Sequence, residues 1–225
     1  QTNLQINETC LTILVNSGQG ELALSRGLEF LESHPEASPI AGFMGVFLAR
    51  LRRYDEAAPL LLAGLEATFP RRRLRQYLAL MWAAQDKPGE AMESLRGELL
   101  DWADNTEARQ LLVRLLGEEK RFDEQLEQVD FLLASDPESA LFLHARAQTL
   151  FNMDDLDGTL LALEAGLRQA PDDPRILLLL ANLQARQGQP ELAQETFARA
   201  SALQEALDAL EQTEQSAPTT PGAPQ

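Results

Sequence analysis

Apolar side chains recur along this chain at helical spacing, in blocks that short turn segments interrupt. In residues 38–71 the first apolar stripe consists of Ala41, Met44, Gly45 and Leu48. After a short polar turn, the second stripe consists of Ala57, Leu61 and Gly64. Spacings of three and four residues place such side chains on one face of a helix. The pattern predicts two helices joined by a tight turn, each with one face in a core.

This pair of helices recurs with a fixed period. Six short segments resemble one another, and they end at Ala23, Ala57, Ala91, Gln125, Thr159 and Ala193, so that all five intervals are 34 residues. Prolines, which stop helices, follow three of these positions by twelve residues. None of the prolines before residue 210 is expected in the middle of a helix. The chain is predicted to form six helix-turn-helix repeats over 4–37, 38–71, 72–105, 106–139, 140–173 and 174–207.

The period and these residues resemble the tetratricopeptide repeat family, which has a small residue late in the first helix and an alanine opening the second. The second and sixth repeats match best, whereas Gln125 and Thr159 replace the alanine and the early aromatic of the first helix is missing from all six. The resemblance implies an all-α fold, a right-handed superhelical solenoid. It also implies that the first helices line a concave groove that binds a protein or peptide segment.

The C-terminal end departs from the repeat. No helix breaker follows Glu205, and an apolar helical pattern continues over 206–210. We expect a single solenoid over 1–213 with a helical cap at 208–213 that covers the end of the stack. Residues 214–225 carry three prolines and no large apolar side chain, which predicts a disordered, proline-rich tail.

Projecting the first helices onto the groove selects the candidate partner-binding residues. They are Phe43, Val46, Arg50, Arg73, Gln76, Tyr77, Leu80, Arg114, His144, Gln148, Arg175 and Asn182. Phe43, Val46, Tyr77 and Leu80 would form an apolar patch, and the arginines would meet carboxylates of the partner. The alternative is that the apolar side chains pack against the neighbouring repeat and the arginine-rich segment at 71–75 is only solvated.

Composition excludes several functions. The net charge of −16 argues against nucleic acid as the partner, and the longest apolar run, six residues from Ile176 to Ala181, is too short to span a membrane. Cys10, the only cysteine, is expected to be a small core residue, and no histidine lies near enough to it to form a catalytic dyad. Residues 154–157 are interpreted as a turn rather than a calcium loop. No metal site, cofactor or catalytic residue is predicted, and the chain is not expected to be an enzyme.

The sequence therefore indicates a non-enzymatic scaffold or assembly adaptor. The chaperone-tail pocket of the family requires Lys and Asn at set places in successive first helices. The two lysines of this chain, Lys87 and Lys120, lie in turns, so binding of a chaperone tail is not expected. Seventeen arginines against two lysines fit a bacterial origin, and a first residue other than Met is compatible with export. A role in cell-envelope assembly, with a periplasmic location favoured over the cytoplasm, is the resulting expectation. The alternatives are a self-associating homo-oligomeric scaffold and a regulatory domain of a larger enzyme or membrane-anchored protein.

Overall fold

A computed structural model of the chain describes residues 2–67 and 72–216, which contain twelve α-helices and no strand. The helices are α1 Thr2–Asn16, α2 Gly20–Ser33, α3 Ser38–Arg50, α4 Tyr54–Leu65, α5 Leu74–Ala84, α6 Pro88–Asp101, α7 Thr106–Glu118, α8 Phe122–Ser135, α9 Ala140–Asn152, α10 Leu156–Gln169, α11 Pro174–Arg186 and α12 Pro190–Ser216. The predicted all-α fold is confirmed, with a first and a second helix in each of the six repeats.

The turns inside the repeats confirm the register of 34 residues. Each turn places one residue in the left-handed backbone region, and these residues are Gly18, Arg52, Asp86, Lys120, Asp154 and Gly188. Consecutive members of this series are 34 residues apart. Only Gly18 and Gly188 are glycines, the residue that adopts this conformation without steric cost. The same tight turn therefore recurs six times in spite of different side chains.

The helices form two compact units, Gln1–Glu119 with α1–α7 and Lys120–Gln225 with α8–α12. Within each unit, the second helices α2, α4, α6, α8 and α10 each pack against the first helix of the following repeat. The predicted fourth repeat contributes α7 to the first unit and α8 to the second. A single superhelix over residues 1–213 stays a prediction.

Small residues allow the closest helix contacts of the first unit. The Cα of Gly42 on α3 faces Gly64 on α4, so closely that a methyl group on Gly64 would lie 2.5 Å from that atom. Leu74 packs against this crossing, within a buried cluster that also contains Met44 and Leu61. In the second unit the corresponding cluster contains Leu163 and Ile176. The core thus consists of the apolar stripes that the sequence predicted.

Two expectations about single residues are wrong. Cys10 is exposed rather than buried, because no second helix covers its side of α1 in the described residues. Pro59 lies inside α4, at its sixth position, rather than near a helix start. The helix tolerates Pro59 because the residue is exposed, where the missing backbone N–H removes one hydrogen bond without creating a buried orphan.

The C-terminal extension is helical as predicted, but it does not cover the last repeat. Residues 204–210 are all exposed, with Leu207 45% and Leu210 63% accessible. The reason is that they continue α12 without a turn, so that they do not fold back on α11. The helix also includes residues 214–216, which the sequence assigned to the disordered tail. The rest of that predicted tail, 217–225, lies outside the described residues.

Candidate peptide-binding surfaces

The first helices α3 and α5 pack side by side in the first unit and carry six of the twelve candidate residues. Val46 and Leu80 occupy the same repeat position, as do Phe43 and Tyr77. Phe43, Val46 and Tyr77 are half-buried and pack against the core of this unit, whereas Leu80 is 36% exposed. The apolar patch is therefore partly core, as the alternative interpretation expected, and partly available surface.

Polar side chains border this patch. Arg50 is exposed at the end of α3 and has no ion-pair partner in the described part of the chain. At the other end, the Gln76 amide oxygen accepts a hydrogen bond from Asn105 Nδ2 at 3.1 Å. We call Phe43, Val46, Arg50, Gln76, Tyr77 and Leu80 the α3–α5 surface.

A buried carboxylate anchors the beginning of α5. Glu98 is fully buried, and its Oε1 accepts hydrogen bonds from the Arg73 backbone N–H at 2.7 Å and from Asn105 Nδ2 at 3.0 Å. Asn105 Oδ1 in turn caps α7 by accepting from the Ala108 N–H at 3.2 Å. Arg73 has a left-handed backbone, with φ of +74°. The network therefore holds a strained residue and joins the ends of three helices.

The arginine-rich segment before α5 is paired within its own chain, and Arg72 and Arg73 are also about half exposed, as the solvated alternative expects. The pairs are Arg72–Asp104 at 2.7 Å, Arg73–Glu107 at 2.9 Å and Arg75–Asp101. Arg71 lies outside the described residues. On α7, Arg114 pairs with Glu118 at 2.8 Å. Because such exposed pairs contribute only about 0–1 kcal/mol, a partner carboxylate can replace the internal one at little cost.

The remaining candidates lie on α9 and α11 of the second unit. Arg175 donates to both carboxylate oxygens of Asp173, at 3.1 and 2.6 Å, and this pairing holds the pKa of Asp173 below its ordinary value. Burial, and then the positive charge of Arg175, lowers the pKa of His144. Gln148 donates to Asn152 at 3.4 Å, and Asn182 is exposed. His144 is therefore a neutral polar group near pH 7.

Arg186 fastens the end of α11 to the end of α9. Its guanidinium lies 4.3 Å from the ring centroid of Phe151 and donates to the Phe151 carbonyl at 3.2 Å and to Asp154 Oδ1 at 2.9 Å. These contacts engage the tight turn between α9 and α10, which ends at Asp155, the N-cap of α10. Of the residues 154–157 predicted to form a turn, 154 and 155 do so, whereas 156 and 157 already begin α10.

Sequence reasoning missed Glu98 and Asn105. The available indication was the repeat position of Glu98, which is glycine in the second and fifth repeats and leucine in the fourth. A charged residue at a position that is otherwise apolar predicts either a solvated site or a buried network. Only the packing around it distinguishes the two.

Two further properties bear on the candidate sites. Among the described residues, no group of three or more His, Cys, Asp or Glu side chains is placed to hold a metal ion. None of the described helices combines the length and the apolar character that crossing a membrane requires.

Comparisons with known proteins agree with the repeat architecture. Residues 150–205 match the family model described as tetratricopeptide repeat. The comparison with curated protein sequences gave no match. Among solved structures, YrrB, described as a TPR protein with an unusual peptide-binding site, is 22% identical, with a TM-score of 0.66 over 74% of this chain and 86% of that chain. MamA MSR-1 is 18% identical, with a TM-score of 0.62 over 75% of this chain and 97% of that chain. At these identities the likeness shows the fold alone.

Proposed function

We propose that the chain is a non-enzymatic scaffold of tetratricopeptide repeats, as the family match over residues 150–205 suggests, and that its α3–α5 surface binds a segment of a partner protein. The observation that carries the proposal is the placement of Val46 and Leu80 at equal repeat positions on the adjacent first helices α3 and α5, with Arg50 one turn after Val46. This arrangement offers apolar surface next to a cation that has no ion-pair partner among residues 2–67 and 72–216. It suits a segment with an apolar side chain and a nearby carboxylate.

The size of the apolar contact limits its strength. Three of the four apolar side chains are already half-buried, so covering the rest contributes roughly 2–4 kcal/mol. Association costs about 4 kcal/mol or more in lost freedom. The apolar patch alone therefore cannot hold a partner, and the segment must gain further contacts from Arg50 and from polar groups beyond it.

Polar groups at the beginning of α5 and on α7 can supply these further contacts to the partner segment. Arg73 and Glu107 join the beginning of α5 to α7, and Arg114 lies farther along α7. An acidic side chain of the partner can take over Arg73 or Arg114 from its internal carboxylate. The exchange adds affinity where the bound segment shields the new pair from water, because a shielded charge-assisted hydrogen bond contributes about 1.5–3 kcal/mol and an exposed one about 0–1 kcal/mol. The partner is thus expected to be acidic as well as apolar.

The test is a selection of displayed random peptides against the full chain, followed by fluorescence anisotropy with the enriched peptides. We expect these peptides to combine an apolar residue with Asp or Glu, and Arg50→Glu to weaken their binding by about tenfold or more. Leu80→Asp is expected to weaken it as well. Leu100→Asp is the matched control, because Leu100 is 86% exposed on α6, outside the surface.

Equal binding of the enriched peptides to wild type, Arg50→Glu and Leu80→Asp would reject the α3–α5 surface. Enriched peptides without acidic residues would reject the role of the arginines. A place in bacterial cell-envelope assembly stays a prediction that fractionation of the source cells tests. The alternative of a regulatory module in a larger enzyme or membrane-anchored protein is likewise a prediction.

A further inference from the structure

The contacts between consecutive repeats follow one rule. In three of the repeats, a buried residue of the second helix shares a cluster with residues of the next first helix that are spaced at i, i+4 and i+7. In the first unit, Leu61 shares a buried cluster with Leu74, Leu78 and Met81. Displaced by 34 residues, the same set recurs in the next cluster as Leu95 with Ala108, Leu112 and Leu115. In the second unit, Leu163 takes this role with Ile176 and Leu183.

In α12, the second helix of the last repeat, the residue at this position is exposed. Leu61, Leu95, Val129 and Leu163 are all 0% exposed, whereas Phe197, at the same repeat position of α12, is 55% exposed. A large aromatic side chain thus stands in water at a position that elsewhere receives the next repeat. We call the surface around Phe197 the tail face.

The C-terminal extension does not protect the tail face. The earlier second helices all end at or before the position that corresponds to residue 203, but α12 continues to Ser216 and its residues 204–210 are exposed. Within the described residues, the tail face is therefore left exposed.

The first helix leaves the complementary residues uncovered. Ile6, Cys10 and Ile13 occupy the i, i+4 and i+7 positions on α1, and all three are exposed, Ile6 by 57% and Ile13 by 60%. Their counterparts Leu74, Leu78 and Met81 are at most 3% exposed. We call Ile6, Cys10 and Ile13 the head face.

We propose that the tail face of one copy receives the head face of a second copy, so that the molecules stack head to tail in the register of the internal repeats. In this contact Phe197 takes the place of Leu61, and Ile6 and Ile13 of the second copy take the places of Leu74 and Met81. The same chain supplies both halves of an interface that it already forms between its own repeats.

The charge distribution fits a second copy. The chain carries −16, which opposes self-association, but α1 contains only one charged side chain, Glu8. The remaining exposed residues near the head face are uncharged, among them Gln5 and Thr9. An acidic α12 can therefore approach α1 without a row of opposing carboxylates. Because the two faces differ, the contact is heterologous and can propagate into open chains.

Sedimentation velocity over a series of concentrations tests this contact. Wild type is expected to form dimers and longer species as concentration rises. The head variant, Ile6→Asp with Ile13→Asp, and the tail variant, Phe197→Asp, are each expected to stay monomeric. An equimolar mixture of the two variants should form a dimer and nothing larger, because each retains one intact face. Leu161→Asp is the control, since Leu161 is 66% exposed outside both faces and should leave association unchanged.

Several results would overturn the proposal. If wild type is monomeric at every concentration, the head-to-tail contact does not form. Dimers of the head variant alone would mean a tail-to-tail contact, and dimers of the tail variant alone would mean a head-to-head contact. Circular dichroism confirms that each variant is folded, which we expect because the substituted side chains are exposed.

Alkylation of Cys10 provides a second measurement. Its rate in wild type should fall by about tenfold or more as the contact saturates, and it should stay constant in the tail variant. A constant rate in wild type would contradict the proposal even if oligomers form. These outcomes do not depend on peptide binding at the α3–α5 surface, so the two proposals can fail separately.

Discussion

At the scale of single residues, Glu98 is the main departure from the repeat. The corresponding residues of the second, fourth, fifth and sixth repeats are Gly64, Leu132, Gly166 and Ala200. Glu98 is fully buried, and its Oε2 has no hydrogen-bond partner in the described structure. The other oxygen, Oε1, holds the carboxylate in place by accepting hydrogen bonds from the Arg73 backbone N–H and from Asn105 Nδ2.

Replacing Glu98 by Ala would leave the Arg73 N–H and the Asn105 amide without this acceptor. We expect a loss of about 2–4 kcal/mol in the free energy of unfolding. Glu98→Gln should lose less because it retains an acceptor oxygen. Urea denaturation followed by circular dichroism measures both, with Glu93→Ala, an exposed glutamate on the same helix, as the control. If Glu98→Ala behaves like Glu93→Ala, the buried network has no energetic role.

His144 predicts a dependence of stability on pH in the second unit. Burial and Arg175 lower its folded pKa below the ordinary value of about 6.5. The unfolded chain therefore binds more protons than the folded chain once the pH falls below about 6.5, and stability is lost as pH falls from there through the folded pKa. At pH values well above 6.5, the neutral His144 makes its full contribution to the free energy of unfolding.

The measurement is an NMR titration of the two imidazoles of the chain, with His34→Gln to assign them. The His144 midpoint is expected below 6.5. Arg175→Gln should raise it, because the repelling charge is gone. His144→Gln should flatten the loss of stability between neutral and mildly acidic pH. A midpoint at or above the ordinary value would contradict the burial of His144 in the fold.

At the scale of helices, glycines decide how closely α3 and α4 pack. A Cβ on Gly64 would lie 2.5 Å from the Gly42 Cα, and this neighbour is backbone that cannot rotate away. We expect Gly64→Ala to destabilise the protein by about 1–3 kcal/mol or more. Gly89→Ala is the matched control: nothing lies within 4 Å of its position on α6, and the better helix former should be neutral or stabilising by about 0.5–1 kcal/mol.

Thermal and urea unfolding of the two variants test this contact. If Gly64→Ala and Gly89→Ala are equally stable, α3 and α4 can move apart without a loss in the free energy of unfolding. A stabilised Gly89→Ala with a destabilised Gly64→Ala would assign the effect to the crossing rather than to helix propensity.

The helices and turns could be predicted because the repeat of 34 residues is a local pattern. Each tight turn fell where the anchors placed it, even at Arg52 and Lys120, which carry side chains in a left-handed conformation. What could not be predicted depends on neighbours. Cys10 has the spacing of a core residue, but none of the described helices covers its face of α1, and Arg73 is paired with Glu107, 34 residues away. The candidate groove residues were found by position, but their availability depends on these partners.

At the scale of the whole molecule, charge distinguishes the two proposed interactions. Two copies that each carry −16 repel one another. The head-to-tail contact must overcome this repulsion by burying Phe197 against Ile6 and Ile13, which are apolar. Peptide binding at the α3–α5 surface, in contrast, brings an acidic segment to Arg50.

Raising NaCl from about 0.1 M to about 1 M shortens the Debye length from about 10 to about 3 Å. We therefore expect salt to strengthen self-association, because the repulsion between copies is screened while apolar burial is retained. The same change should weaken the binding of acidic peptides, because it screens their attraction to Arg50. Sedimentation and anisotropy at matched salt concentrations measure the two effects. Self-association that weakens with salt would mean that ion pairs rather than the head and tail faces hold the copies together, and it would assign the contact to a different surface.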